Sequence, residues 1–259
     1  MALEIPTVEL APGVALPVVG FGTWQITGQS AYDATRTALD VGYRHIDTAT
    51  MYGNEPEIGR ALRDSGLDRS EVFITTKLLP SQAGRERQAI EASLKALGVD
   101  YADLWLIHWP PSRGRSLPTW VSFLEQRAAG RARSLGVSNY DAQLIDELIR
   151  ETGETPVVNQ VSWSPSEHEP KFLDEMRRRR IVVEGYSSLK NTPLTGRRLV
   201  AIAEAHGVTV PQVVLRWQLH HDIVAIPKST HEHRMRENLS VLSFELTADE
   251  IATIDTLRH

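Results

Sequence analysis

The sequence predicts an α/β fold, a (β/α)8 TIM barrel with an N-terminal β-hairpin closing its bottom. Three observations point there. Short, continuously apolar runs rich in β-branched residues alternate with segments of helical period along 259 residues, and eight strand–helix units occupy roughly 250 residues. Continuous rather than alternating apolarity marks strands covered on both faces, as in a parallel sheet with helices outside it. The third observation is a missing signature. An open dinucleotide-binding sheet shows Gly-x-Gly-x-x-Gly after its first strand, but Gly20-Phe21-Gly22 is followed by Gln25 where the third glycine belongs. Residues 1–259 therefore read as one barrel domain.

Taken in order, Val8–Leu10 and Val14–Leu16 flank Ala11-Pro12-Gly13, turn residues that join them as a hairpin. Strands are expected at 18–21, 43–46, 72–76, 103–107, 132–137, 157–160, 181–185 and 223–226. Between them, Ile90, Leu94 and Leu97 recur at i, i+4 and i+7 before Gly98, and Leu144, Ile145, Leu148 and Ile149 form an apolar stripe before Gly153. Both patterns are amphipathic helices stopped by glycine. A final helix is expected over about residues 247–256. Parallel strands alternating with helices require right-handed crossovers.

Composition excludes several functions. With 41% hydrophobic and 24% charged residues the chain is an ordinary globular one. A net charge of −5 provides no field for nucleic acid or anionic membrane. The run Arg177–Arg180 follows a helix-like segment and reads as a solvated helix end, with phosphate or RNA contact as the weaker alternative. The absence of cysteine removes disulfides, thiolate catalysis and cysteine metal sites. No metal is expected. The start MALEIPTVELAPG lacks a basic and an apolar leader region, and no apolar run reaches membrane-span length, so a cytoplasmic location is expected. The expected partner is a small molecule, and the expected state a monomer.

In barrels of this kind the chemistry sits at the C-terminal ends of the strands. The polar residues there are Asp47 after the second strand, Lys77 at the end of the third, His108 at the end of the fourth and Ser138 and Asn139 at the end of the fifth; Gln160, Tyr186 and Lys228 mark the last three strands. Singly, each has an ordinary structural explanation, as a turn cap, a strand-end charge or a satisfied core histidine. Together with Tyr52, a carboxylate, an ammonium, an imidazole and a phenol on one face would be expensive to bury without a task. Lacking a thiol nucleophile or a Ser-His-Asp elbow, the set is suited to proton transfer. A phenol titrates near 10 and a nearby ammonium lowers that value, so Lys77 is expected to acidify Tyr52, with Asp47 holding Lys77 and His108 directing a substrate oxygen.

These residues fall in segments that resemble the aldo-keto reductases over nearly the whole chain, in particular the bacterial branch that includes 2,5-diketogluconate reductases. The segments are Gly20–Trp24, Gly42–Ala49 with Tyr52-Gly53-Asn54-Glu55, Thr76-Lys77, Ile107–Pro110, Gly136–Tyr140, Asn159-Gln160, and Ile226–Ser229 with Arg234 and Glu237-Asn238. The resemblance implies a catalytic tetrad of Asp47, Tyr52, Lys77 and His108, and hydride transfer from NADPH to an aldehyde or ketone. It implies that Ser138, Asn139 and Gln160 hold the nicotinamide amide, that Tyr186 stacks on the ring, and that Ser187 and Leu189 touch the pyrophosphate. Lys228, Ser229 and Arg234, with Glu237 and Asn238 following, would receive the adenosine end, the cations and donors meeting the 2′-phosphate that separates NADPH from NADH.

The sequence also departs from that pattern. Gln160 is followed by Val161-Ser162-Trp163-Ser164-Pro165 in place of the usual Gln-x-Glu-x-His-Pro, and Ser188 stands where proline is common. The segment after His108 is short, and the chain ends at His259 soon after its last helix, without the long C-terminal loop of many relatives. A shallow, open pocket walled by Trp24 and Trp109 is expected, with Trp163 open between a third wall and scaffold packing. Two alternatives remain: an NADPH-binding sensor subunit with little turnover, and a phosphate-handling isomerase or aldolase using Lys77.

Overall fold

The computed structural model describes residues 5–112 and 114–257. Met1–Glu4 of the N-terminal segment discussed above, and His259, lie outside them. The hairpin pairs β1 (Thr7–Ala11) with β2 (Val14–Pro17) in antiparallel register, as its turn residues require. Eight parallel strands follow in sheet order equal to chain order: β3 (Phe21–Gly22), β4 (His45–Asp47), β5 (Phe73–Leu78), β6 (Ala102–Ile107), β7 (Ala132–Ser138), β8 (Val158–Ser162), β9 (Val182–Tyr186) and β10 (Ile223–Ala225). A parallel bridge between Val19 and Ala225 joins the two edges, supported by Gly20 N–H to Ala225 O at 2.8 Å and Gly22 N–H to Pro227 O at 3.1 Å. The sheet therefore closes into the expected (β/α)8 barrel.

That seam explains Gly20-Phe21-Gly22 without a phosphate. A Cβ on Gly22 would lie 2.7 Å from the Ile226 carbonyl oxygen, and one on Gly20 would lie 2.4 Å from His45 Nδ1. Neither approach tolerates a side chain. Elsewhere the strands begin or end one or two residues from their expected limits, and with a common cause. Several run on through polar residues, because Lys77, Ser138, Gln160 and Tyr186 are themselves strand residues. Conversely the second barrel strand starts at His45, since Tyr43 is still tied by its N–H to Ala38 O at the end of the first helix.

Ten α-helices accompany the strands among the described residues, the first being α1 (Gln29–Val41) and α2 (Glu55–Ser65). The stripe of Ile90, Leu94 and Leu97 is α3 (Glu86–Leu97), and that of Ile145 and Leu148 is α5 (Ala142–Thr152), both closed by left-handed glycines. Helix α4 (Ser116–Ala128) stacks Phe123 on Trp105 of β6 with ring centroids 3.6 Å apart. Residues Trp105 and Ile107 face the helices while Leu104 and Leu106 face the barrel axis, the period of two that a strand imposes. At the bottom, Val14 and Leu16 of the hairpin join Phe73, Leu104, Leu106, Val158 and Val224 in an apolar plug.

Helix α6 (Pro170–Arg178) ends in the basic run, where Arg179 forms a two-point ion pair with Asp146 at 2.7 Å. The run is a helix end, as expected. The final helix, α10 (Ala248–Asp255), opens with a Thr247–Glu250 capping box. It is pinned to α8 (Val210–His220) by Asp255, whose Oδ1 accepts from Trp217 Nε1 at 2.7 Å and pairs with His221 Nε2 at 2.8 Å. Among the described residues no helix is long and apolar enough to cross a membrane.

Candidate active site

The C-terminal ends of the strands line a cleft of about 500 Å³. Strand β4 delivers Asp47, and the chain then makes one 3-10 turn (Thr50–Tyr52), closed by Gly53 at φ 65°. Asn54 fixes this turn. Its amide donates to Thr23 O at 3.0 Å and Ile26 O at 2.9 Å, and its Oδ1 accepts from Thr48 Oγ1 at 2.8 Å. Thr50 Oγ1 donates to Lys77 O at 3.0 Å, tying the turn to β5. Tyr52 is thereby held over the barrel mouth by its neighbours rather than left on a free loop.

Lys77 is fully buried. Its ammonium donates to Asp47 Oδ1 at 2.6 Å and Oδ2 at 2.7 Å, to Thr48 O at 2.9 Å, and to Tyr52 Oη at 3.4 Å. Burial opposes the charge on Lys77, but Asp47 and then Tyr52 outweigh it and raise its pKa. It stays an ammonium. Asp47 accepts a further bond from Gln160 Nε2 at 2.8 Å, so its charge is divided among several donors, which a buried ion pair needs.

His108 closes the set. Its ring meets Tyr52 edge-on at 5.8 Å and stacks on Trp109 at 4.2 Å. Burial, and then the Lys77 ammonium, pull its pKa down to about 3. The imidazole is therefore neutral and can offer one N–H to a substrate oxygen. Tyr52 departs from expectation. Burial raises its pKa, and Lys77 opposes that rise without reversing it. The phenol is held in its protonated form, because desolvation outweighs the ammonium.

The remaining predicted residues divide by position. Asn139 adopts a left-handed φ of 62° and is locked by three bonds: to His108 O at 3.2 Å, to Ser138 Oγ at 3.0 Å, and from Tyr186 Oη at 2.8 Å. It lines the cleft with Gln160, Tyr186, Ser187 and Leu189, whereas Ser138 is fully buried behind it and donates to Gln160 O at 2.8 Å. Lys228 is exposed at the far rim of the same cleft. Ser229 is buried and caps the His231 N–H at 3.0 Å, and Arg234 stands exposed on α9 (Glu232–Leu239). On that helix Glu237 offers its carbonyl oxygen to Gln212 and Ser240, while Asn238 is buried beside Tyr43.

At the opening, Trp24 and Trp109 are 40% and 38% exposed, and the Lys190 ammonium lies 5.5 Å from the Trp24 ring. Trp163 is only 2% exposed and packs on Phe172 and His168, so it belongs to the scaffold. Sequence reasoning assigned no role to Glu55, whose carboxylate accepts from Thr76 Oγ1 at 2.6 Å beside Lys77. It also overlooked Glu184 and His45, both fully buried beneath the cluster. The available signal for Glu184 was a lone acid inside the apolar run that begins at Ile181.

A parallel barrel whose strand ends gather a proton-transfer set around an apolar-walled cleft is the architecture of an enzyme. The chain belongs to the aldo/keto reductase family, whose model matches residues 18–259, and is an oxidoreductase. It is 42% identical over 99% of its length, and 94% of the relative's, to the 2,5-diketo-D-gluconic acid reductase B of a Corynebacterium strain. It superposes with a TM-score of 0.94 on the crystal structure of an aldo/keto reductase from Brucella melitensis, at 39% identity with 98% and 100% of the two chains covered. The aldo-keto reductase of Bombyx mori, solved in complex with NADP, gives a TM-score of 0.93 at 31% identity, with 99% and 94% covered.

Proposed function

We propose that this chain reduces aldehydes and ketones to alcohols with NADPH, and that Tyr52 donates the proton. The observation that carries the reading is the Lys77 ammonium, which bridges the Asp47 carboxylate at 2.6 Å and the Tyr52 hydroxyl at 3.4 Å in one buried cluster. The cleft fits an extended dinucleotide, because it runs from Asp47 and Tyr52 past Asn139 and Tyr186 to Ile226 and Lys228. Gln160 and Asn139 would hold the nicotinamide amide, Tyr186 its ring, and Ser187 and Leu189 the pyrophosphate. Lys228, Ser229 and Arg234 would receive the 2′-phosphate, since neither cation is engaged in an ion pair among the described residues and a dianion is matched by such charges. Bound there, NADPH supplies the hydride.

The chain's own residues manage the proton. The neutral His108 donates an N–H to the carbonyl oxygen and aims it between itself and Tyr52 Oη. As negative charge grows on that oxygen the phenolic proton crosses to it. Lys77 stabilises the phenolate left behind more than it stabilises the phenol, which is where electrostatic preorganisation lowers a barrier. Asp47 keeps Lys77 charged and aimed. The raised pKa of Tyr52 is consistent with this role, because the donor must hold its proton until the carbonyl accepts it.

The reading is tested by following NADPH absorbance with a panel of carbonyl compounds, 4-nitrobenzaldehyde among them. Turnover with NADPH is expected for reactive aldehydes. Tight NADPH binding without turnover on any of them would instead mark a sensor protein.

A further inference from the structure

Beneath the Asp47–Lys77 pair the barrel holds a second titratable pair that these roles do not use. Glu184, the central residue of β9, is fully buried, and neither of its carboxylate oxygens has a hydrogen-bond partner among the described residues. His45 precedes Asp47 by two residues on β4, which puts both on the inner face. Its Nε2 lies 3.7 Å from Glu184 Oε1, beyond hydrogen-bond reach, and 3.2 Å from Thr75 Oγ1. Glu184 is in register with Gln160, the residue whose amide donates to Asp47. There is no slack on the far side, since the backbone at Gly20 crowds the His45 ring.

The charged and titratable groups acting on Glu184 are thus His45 and Asp47 from β4, Lys77 from β5, and Tyr52 from the turn after β4. A carboxylate there would have only the Gln160 amide as a donor and the Lys77 ammonium, already shared with Asp47, as a countercharge, and would face Asp47 as a second anion. Desolvation of an unpaired ion is among the largest penalties a fold can carry, so the carboxyl keeps its proton.

We propose that Glu184 is a positioning residue for the reduction: its proton spares the Asp47–Lys77 pair a further anion beneath it, and losing that proton makes Tyr52 a weaker acid. The proposal rests on Tyr52 being the donor. Burial, and then Asp47, push the Glu184 pKa up to about 8, while a negative Glu184 raises that of Tyr52. His45, pulled down to about 4 by its own burial, is neutral when Glu184 ionises and supplies no countercharge. Above about pH 8 the proton transfer therefore slows.

The test compares kcat for NADPH-driven reduction of 4-nitrobenzaldehyde between pH 6 and 10 in the parent and in Glu184→Gln, whose amide is neutral throughout. The parent is expected to lose rate with a midpoint near pH 8, and the variant's midpoint to move up by a unit or more. Coincident midpoints overturn the proposal. A second readout does not depend on catalysis. Because the folded carboxyl pKa lies above its unfolded value, the parent loses stability as pH rises from about 4.5 to about 8. The Tm advantage of Glu184→Gln should therefore widen over that range and then level off, and a constant Tm difference overturns the proposal. Glu184→Met, neutral and similar in length, must give the same upward shift and replaces the glutamine variant if that fails to fold. Tyr52→Phe run alongside separates the two claims. If it is inactive while the parent and Glu184→Gln limbs coincide, only the Glu184 proposal fails; if it turns over like the parent, the donor reading fails first.

Discussion

The two ends of the barrel interior are filled by opposite means. At the bottom, Leu16, Phe73, Leu104, Leu106 and Val224 pack as an apolar plug under the hairpin. At the top, the strand ends present Asp47, Lys77 and Gln160, buried to a similar degree and satisfied by one another and by their polar neighbours Thr48 and Tyr52. The plug gains stability from every methylene removed from water. The polar layer gains little net stability from its ion pair, because desolvation offsets the attraction. One end keeps the fold, and the other holds a polar constellation that adds little to it.

Substitutions at the two ends should therefore separate activity from stability. The largest effect on activity is expected for Lys77→Met, which removes the cation beside Tyr52 and leaves Asp47 buried without it. The predicted loss in kcat is on the order of 10²–10⁴, and steady-state reduction rates check it. Leu106→Ala in the plug is predicted to lower stability by about 2–5 kcal/mol, measured by denaturant unfolding, with kcat per folded molecule changed by less than about threefold. A kcat loss matching that of Lys77→Met would erase the distinction between the ends.

Arg234→Ala lies farther from both layers and tests the cofactor's adenosine end. It is predicted to weaken NADPH binding by roughly tenfold to a hundredfold, the worth of a charged hydrogen bond or two, and to leave NADH binding nearly unchanged in fluorescence titrations. Equal losses would contradict the placement of the 2′-phosphate. The smallest effect concerns pH. With its pKa near 3, His108 is neutral throughout ordinary assay conditions, so kcat should show no acid-side break attributable to it between pH 5 and 7.

Much of this contrast was legible in the sequence. The continuous apolar runs located the strands to within a few residues, because a strand buried on both faces has few other ways to be written. The polar residues at their ends pointed to the cleft, because a barrel of this kind opens at the C-terminal ends of its strands. What sequence reasoning could not supply was depth. Trp163, left open between a pocket wall and scaffold packing, follows β8 into the layer under α6. The shift on Tyr52 was expected to follow Lys77, but its sign depends on how much water the turn at Thr50–Tyr52 excludes. Glu184 passed as one polar letter in an apolar run, because only the register with Gln160 shows what it faces.

The central claim, that the phenol held over the Lys77–Asp47 pair is the proton donor, is tested most directly by Tyr52→Phe. NADPH oxidation with 4-nitrobenzaldehyde and NADPH binding are measured on the same preparation. The predicted result is a kcat lower by about 10²–10⁴, with NADPH affinity within about twofold of the parent. Turnover at the parent rate would contradict it.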